Sequence, residues 1–483
     1  MLATSHQSPP NPCASRAVHC RIARSNKIRN TRCTIRNART TAGRTQTVID
    51  AQAVAALRNR TLGPEHKGLP PAAWGSTVYE FLSTAPTFEQ LITPALTLDN
   101  AAIDSNVAAM AEWAEQEGVL LAPHGKTTMA PQLWSRQLDA GAWAITLATI
   151  WQVQFARSYG VERIMLANAL VDPTGLRWIA QELDRDPSFD FYCWADSVDT
   201  VALMEDTLRS AAGEAHVNVI VELGGPHGRT GARSVEAALD VAHAVAKSSR
   251  LSLAGVGGYE GALSHDRTPA GLTNVRNYLD ELARLHVELQ SAGTYSERAI
   301  ITAGGSAYQD LVVDRLAKLA GERDGGIATS VVLRSGAYII HDDGFYAGIS
   351  PMIEGRAESP SQHALRSAMH GWARVVSHPE PELALLDAGK RDLPYDEGLP
   401  VPQRFAGPDA RVLDSGATIS ALNDQHAFLR LPGVRADAVA IGDVVRLGLS
   451  HPCTAFDKWR LIPVLDDADA EHPRIVDFIH TFF

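Results

Sequence analysis

The chain has 483 residues, 45% hydrophobic and 20% charged, the balance of a globular protein with apolar material for two or three domains. It holds no run of about eighteen apolar residues and only five cysteines, which excludes a membrane-spanning helix and a disulfide scaffold. The formal net charge of −11 is unevenly spread: residues 1–49 carry nine basic side chains, from Arg16 to Arg44, and no acidic one, while the remainder carries 35 basic and 55 acidic residues.

The basic segment 1–49 has the Arg/Ser/Thr-rich, acid-free composition of a transit peptide or a basic arm, without the apolar run of a secretory signal. Its cysteines, Cys13, Cys20 and Cys33, include no CxxC pair that would suit zinc. So little apolar material cannot offset ordering entropy, and the segment reads as a disordered or appended extension. The acidic remainder opposes nucleic-acid binding and suits a soluble cytoplasmic protein. Residues 50–99 read as a lead-in: a short helix at 49–58, a Gly/Pro-rich link, a helical piece at 77–82 and an alternating strand at 93–99. Asp99 and Asn100 then offer an N-cap to a helix running to 117.

A rhythm follows. Apolar runs at 119–123, 142–148, 162–168, 189–195, 216–223, 251–258, 298–303 and 328–334 alternate with helical stretches at about 130–139, 149–158, 173–185, 197–210, 233–249, 271–291 and 308–321. Eight buried strands with crossover helices over 100–335 predict a (β/α)8 barrel, with a doubly wound sheet as the alternative topology. From about 336 helical periodicity gives way to β-prone runs among Gly, Pro and Asp, which predicts a second, all-β domain over 336–483.

In a barrel, chemistry belongs at the C-terminal strand ends. The first strand ends in PHGKT (123–127), where Lys126 reads as a desolvated nucleophilic amine or as a snorkelling surface lysine. The fifth begins its exit at Glu222 and runs through a glycine-rich loop to Arg229, which suits an anion or a ring nitrogen, or is only a turn. The sixth ends in GYEG (258–261) with Tyr259, and His265 follows. The seventh ends in Gly304, Gly305 and Ser306 before a helix, a phosphate cradle or a plain N-cap. In the second domain His451 and Cys453 stand two apart after a strand, on one face if extended, with the chemistry of zinc ligands, though two ligands suit only an open site.

Together these residues resemble the fold-type III pyridoxal-phosphate (PLP) enzymes, specifically the D-serine dehydratase / D-threonine aldolase family, an alanine-racemase-like group. The resemblance spans about 75–483 and is carried by PHGKT, GPHGRTG (225–231), GYEG with His265, AGGS (303–306) and SHPCTAFDKW (450–459) in this order. It implies that Lys126 binds PLP as a Schiff base, that Arg229 faces the pyridine nitrogen, and that Tyr259 lies beside the cofactor. It further implies that Gly304, Gly305 and Ser306 hold the phosphate, that His265 serves the β-hydroxyl, and that His451 and Cys453 hold Zn2+ or another divalent cation. The dehydratase branch has His-x-Cys where the aldolase branch tends to place an aspartate, which points to dehydration of a D-3-hydroxy amino acid to a 2-oxo acid and ammonia. Retro-aldol cleavage to glycine and an aldehyde, a racemase, and a non-catalytic PLP carrier are the alternatives. A homodimer is implied as well. The chain departs from the pattern at Gly-Pro-His in the 224–231 loop. The stretches 387–400 and 422–429, the latter with His426, resemble a subgroup described as amino-acid deaminases.

Overall fold

The computed structural model describes residues 47–483 apart from 226–227, 322–325, 354–363, 408–410, 414–415 and 434–438, so the reading of the basic extension lies outside the described residues up to 46. The lead-in forms α1 (Ala51–Ala55), N-capped by the Asp50 carboxylate, and α2 (Val78–Leu82), closed by a capping box between Thr77 and Glu80. Strand β1 (Ala95–Asp99) passes directly into α3 (Asn100–Gln116), whose Ala102 N–H is taken by Asp99 as the sequence predicts.

The eight predicted barrel strands are all present: β2 (Leu120–Leu121), β3 (Ile145–Leu147), β4 (Arg163–Ala169), β5 (Asp190–Ala195), β6 (Val217–Glu222), β7 (Leu251–Gly257), β8 (Ala299–Ala303) and β9 (Thr329–Leu333). They alternate with α4 (Pro131–Asp139), α5 (Ile150–Ser158), α6 (Pro173–Arg185), α7 (Val198–Arg209), α8 (Val235–Lys247), α9 (Pro269–Ser291) and α10 (Gln309–Leu316). The parallel sheet runs β2-β9-β8-β7-β6-β5-β4-β3. Its ends meet through a bridge between His124 and Thr146 and through the Trp143 and Thr146 N–H groups, which donate to Leu121 O (2.6 Å) and Pro123 O (2.9 Å). Alternation along each strand separates two apolar layers. Met165, Tyr192, Trp194, Ile220, Ile300 and Val332 fill the interior, whereas their strand neighbours pack outward on the helices.

Two short helices follow the barrel region or interrupt the second sheet: α11 (Phe345–Ile349) and α12 (Pro452–Phe456). The sheet itself comprises β10 (Met369–Glu380), β11 (Leu383–Leu386), β12 (Val401–Phe405), β13 (Thr418–Leu422), β14 (Ala427–Arg430), β15 (Val444–Gly448), β16 (Leu461–Leu465) and β17 (Ile475–His480). Strand β1 lies within it, antiparallel to β10 and parallel to β16, so a strand from before the barrel completes the sheet after it. The expected all-β character is thus modified by α11 and α12, and the His451–Cys453 motif sits on the second of these. No helix among the described residues is long and apolar enough to cross a membrane.

Candidate active site

The C-terminal ends of the barrel strands border a cavity of about 440 Å3 that Lys126, Arg229, Tyr259, Gly305 and Ser306 share with His451 and Cys453. Residues more than 300 positions apart in sequence therefore face one space. Lys126 stands on a 3-10 turn, Gly125–Thr127, directly after β2. Gly125 O accepts from Trp134 Nε1 (3.1 Å), which fixes the turn from below, and the lysine is half-buried. His124 beside it lines the same cavity with its Nδ1 buried and unpartnered. Burial, and then the charges of Lys126, Arg334 and Arg229, hold its imidazole well below the usual range, so it is neutral at pH 7.

The Gly304–Ser306 loop departs from the expected cradle. The N–H groups of Gly304 (2.9 Å) and Gly305 (2.7 Å) donate to the fully buried Glu260 carboxylate. An internal anion thus takes two of the donors assigned to a phosphate, and Ser306, with the bare edge of Gly305, is what remains toward the cavity. Gly304 has φ +102°, which an L side chain rarely adopts, and a Cβ on Gly305 would lie 2.8 Å from the Tyr259 ring. Glu260 is the middle of the quoted GYEG motif, but nothing in sequence marks its carboxylate as turned inward. Burial and Glu260 push the Tyr259 phenol up to about 12.

Arg229 is exposed and lies over the Tyr259 ring at 5.4 Å. Its loop is tied down by Arg233, whose Nη1 donates to Gly225 O (3.2 Å) and Gly228 O (2.9 Å); Pro226 and His227 lie outside the described residues. Arg334, just past β9, is a cavity residue that strand reading passed over. It is 2% exposed, donates to Thr302 Oγ1 (2.6 Å) and Gly258 O, and keeps an unpartnered Nε. His265 is not beside Lys126. It is exposed and lines an outer cavity of about 390 Å3 with Phe345 and Glu397, contiguous with the inner one through Arg229, Tyr259, Ser306, Tyr346 and His451. His426 is exposed in the turn between β13 and β14, its carbonyl accepting from Asn423 N–H (2.8 Å), and is absent from both cavities.

His451 and Cys453 come together for a different reason than a shared strand face. His451 caps α12 in the left-handed region, φ +54°, and Cys453 lies one residue into that helix. The unusual backbone is held by Asp342, whose Oδ2 accepts the His451 N–H (3.1 Å) while its Oδ1 accepts the N–H groups of Gly344 (3.0 Å) and Tyr346 (2.8 Å). Cys453 Sγ lies 3.5 Å from Thr127 Oγ1, on the very turn that carries Lys126. His451 Nδ1 lies 2.5 Å from Asp396 Oδ2. Cys453 and Asp396 raise the His451 imidazole to about 9 against burial. Burial pushes the Cys453 thiol up, but His451 and Thr127 outweigh it and hold the thiol below its usual range.

These residues fit the groups the motifs imply. A cavity with an amine, a side-chain-free edge at Gly305, and buried unpartnered nitrogens on His124 and Arg334 suits an anionic aromatic cofactor. An imidazole whose Nδ1 is engaged by a carboxylate leaves Nε2 for a metal beside a thiolate. Among the described residues no group of three or more His, Cys, Asp or Glu is arranged around a metal position, so the pair would serve only an open site.

Residues 368–465 match the family described as putative serine dehydratase domain. The chain is 26% identical over 381 residues to D-threonine aldolase of Arthrobacter sp., covering 78% of this chain and 90% of that one. It is 24% identical over 355 residues to 3-hydroxy-D-aspartate aldolase of Paracoccus denitrificans (strain Pd 1222), covering 71% and 83%. The solved structure of D-threonine aldolase from Filomicrobium marinum superposes with a TM-score of 0.68 at 23% identity over 82% of this chain and 97% of that one. D-threo-3-hydroxyaspartate dehydratase from Delftia sp. HT23 superposes with a TM-score of 0.62 at 19% identity over 82% and 99%. The fold is that of the alanine-racemase-like enzymes, and the resemblance expected from the motifs is borne out.

Proposed function

We propose that the protein is a PLP- and metal-dependent lyase acting on D-3-hydroxy amino acids, with dehydration to a 2-oxo acid and ammonia as its reaction. The observation that carries this reading is the single cavity shared by Lys126 and the His451–Cys453 pair, joined through Thr127. Lys126 would hold PLP, with Ser306 at the phosphate end and Arg229 at the ring; His451 Nε2 and Cys453 Sγ would hold a divalent cation, zinc by the chemistry of the donors. Bound there, the two groups supply an electron sink for charge developing at Cα and a Lewis acid for the β-oxygen.

The chain's own residues then divide the work. The Lys126 amine, freed when the substrate's amine takes its place on the cofactor, would take the Cα proton. The Tyr259 phenol, held protonated by its surroundings, is a hydrogen-bond donor at neutral pH. Neutral His124 and charged Arg334 give the inner wall donors for anionic oxygens. The outer cavity receives the substrate's side chain beyond Cβ. His265 there would take the hydroxyl proton if the Cα–Cβ bond breaks instead, and that retro-aldol outcome is the second reading, favoured by the aldolase names of the curated relatives. Cys453 and the match to a dehydratase domain favour the first. Incubation with D-serine and D-threonine distinguishes them: ammonia and 2-oxo acid support dehydration, glycine and aldehyde support cleavage.

A further inference from the structure

We infer that Asp396 is a positioning residue for the metal pair: its carboxylate fixes the ring orientation and tautomer of His451 so that Nε2 is presented beside Cys453 Sγ. This rests on the metal reading above and goes beyond it, because Asp396 engages Nδ1, which leaves Nε2 as the nitrogen that would meet a cation, and Asp396 itself would not be a ligand.

Three observations carry it. First, both Asp396 oxygens are committed: Oδ2 lies 2.5 Å from His451 Nδ1, and Oδ1 accepts from Thr454 Oγ1 (2.6 Å). A carboxylate held at two points cannot swing, so the Nδ1 proton has one acceptor in one place. Second, the loop that carries Asp396 is anchored. Four residues earlier, Asp392 is 2% exposed and accepts from Lys67 Nζ (3.1 Å), Gln425 Nε2 (2.9 Å) and Gly389 N–H (3.2 Å), while its carbonyl accepts from Trp459 Nε1 (2.9 Å). The donors come from the lead-in, from the β13–β14 turn and from the segment after α12, so the two stretches resembling a deaminase subgroup meet in this one buttress. Third, His451 has its backbone N–H held independently by Asp342. The main chain is therefore fixed without Asp396, and what Asp396 adds is control of the ring.

An exposed carboxylate–imidazole pair that only ties a loop would act on stability and leave metal affinity alone. A carboxylate on the far nitrogen of a ligating imidazole raises its basicity and fixes its tautomer, and losing it weakens binding by about 10–100-fold. The full-length, metal-stripped protein is titrated with zinc against a chromophoric chelator and, separately, with cobalt. Wild type is expected to bind one equivalent and to show a thiolate-to-cobalt absorption band. Asp396→Asn is expected to melt at the wild-type temperature, to bind zinc about 10–100-fold more weakly and to shift the cobalt band. Wild-type affinity and an unshifted band in Asp396→Asn overturn the inference while leaving the metal reading standing. Wild-type protein that binds neither metal overturns the metal reading and the inference with it. If Asp396→Asn does not fold, Thr454→Val carries the test, since it frees Oδ1 and keeps the carboxylate: a several-fold loss of zinc affinity supports the inference, and unchanged affinity overturns it.

Discussion

The two halves of the site are assembled by different physics. The barrel half follows from local sequence: each buried strand delivers the next few residues to the same end of the sheet, so Lys126, Tyr259 and Ser306 need only their own strands to arrive there. The β-domain half has no such guide. His451 is aimed by a left-handed backbone, by Asp342 from before the second sheet and by Asp396 from a loop, all distant in sequence. One half inherits its geometry from a repeating architecture; the other is stapled together by side chains. The halves should therefore be separable by mutation.

The largest effect is expected from Lys126→Ala. It should abolish turnover and the long-wavelength absorbance of Schiff-base-bound PLP, while zinc affinity stays within about twofold of wild type; a variant that keeps the absorbance removes Lys126 from its role. The converse cut, Cys453→Ala, should leave the PLP absorbance intact and lower kcat by on the order of 10³-fold, the loss expected for several kcal/mol of Lewis-acid stabilisation. Equal activity of metal-stripped and zinc-loaded wild type would refute the metal's part.

A finer cut within the barrel half is Gly305→Ala. The added Cβ meets the Tyr259 ring at 2.8 Å, an overpacking of about 1–3 kcal/mol, so PLP affinity should drop about tenfold with zinc affinity untouched. Unchanged PLP affinity would show that the ring yields and that Gly305 is not needed bare.

The smallest effect concerns the stapled half as a structure. His480 on β17 is buried and held down to about 4, by desolvation first and then by Arg60, with its Nε2 at Leu57 O (3.2 Å). Its folded pKa lies below its unfolded value near 6.5, so the unfolded chain binds the extra proton. The ring is neutral in both states above about pH 6.5, and the folded state is increasingly penalised as pH falls from there toward 4. Denaturant midpoints from pH 7 to 4 should decline less steeply for His480→Gln than for wild type, and parallel declines would assign the acid sensitivity elsewhere.

The same division explains what sequence could tell. The strand rhythm and the motifs at strand ends are local, and the eight barrel strands lie where periodicity places them. Glu260, turned inward onto the Gly304 and Gly305 N–H groups, was legible as a motif letter but not as an internal anion. Arg334 looked like the last residue of a strand because its burial depends on Thr302 and Gly258 across the ring. His451 and Cys453 line one cavity, but the turn into α12 brings them there and not a common strand face. Asp396 carried no signal of its own, because its partner lies 55 residues further along. His265 reads as a neighbour of Tyr259 in sequence, yet the 3-10 turn after Tyr259 carries it into the outer cavity.

The proposed reaction is dehydration of D-3-hydroxy amino acids in one cavity that would join an amine-bound cofactor to a metal pair. It is tested most directly by incubating the purified, PLP-loaded protein with D-serine, D-threonine and D-threo-3-hydroxyaspartate, with zinc and with chelator, and assaying 2-oxo acid, ammonia, glycine and aldehyde. Zinc-dependent release of 2-oxo acid and ammonia in equal amounts from at least one of the three is the predicted result. Failure of all three to react in PLP- and zinc-loaded protein, or release of glycine and aldehyde alone, would rule that reaction out.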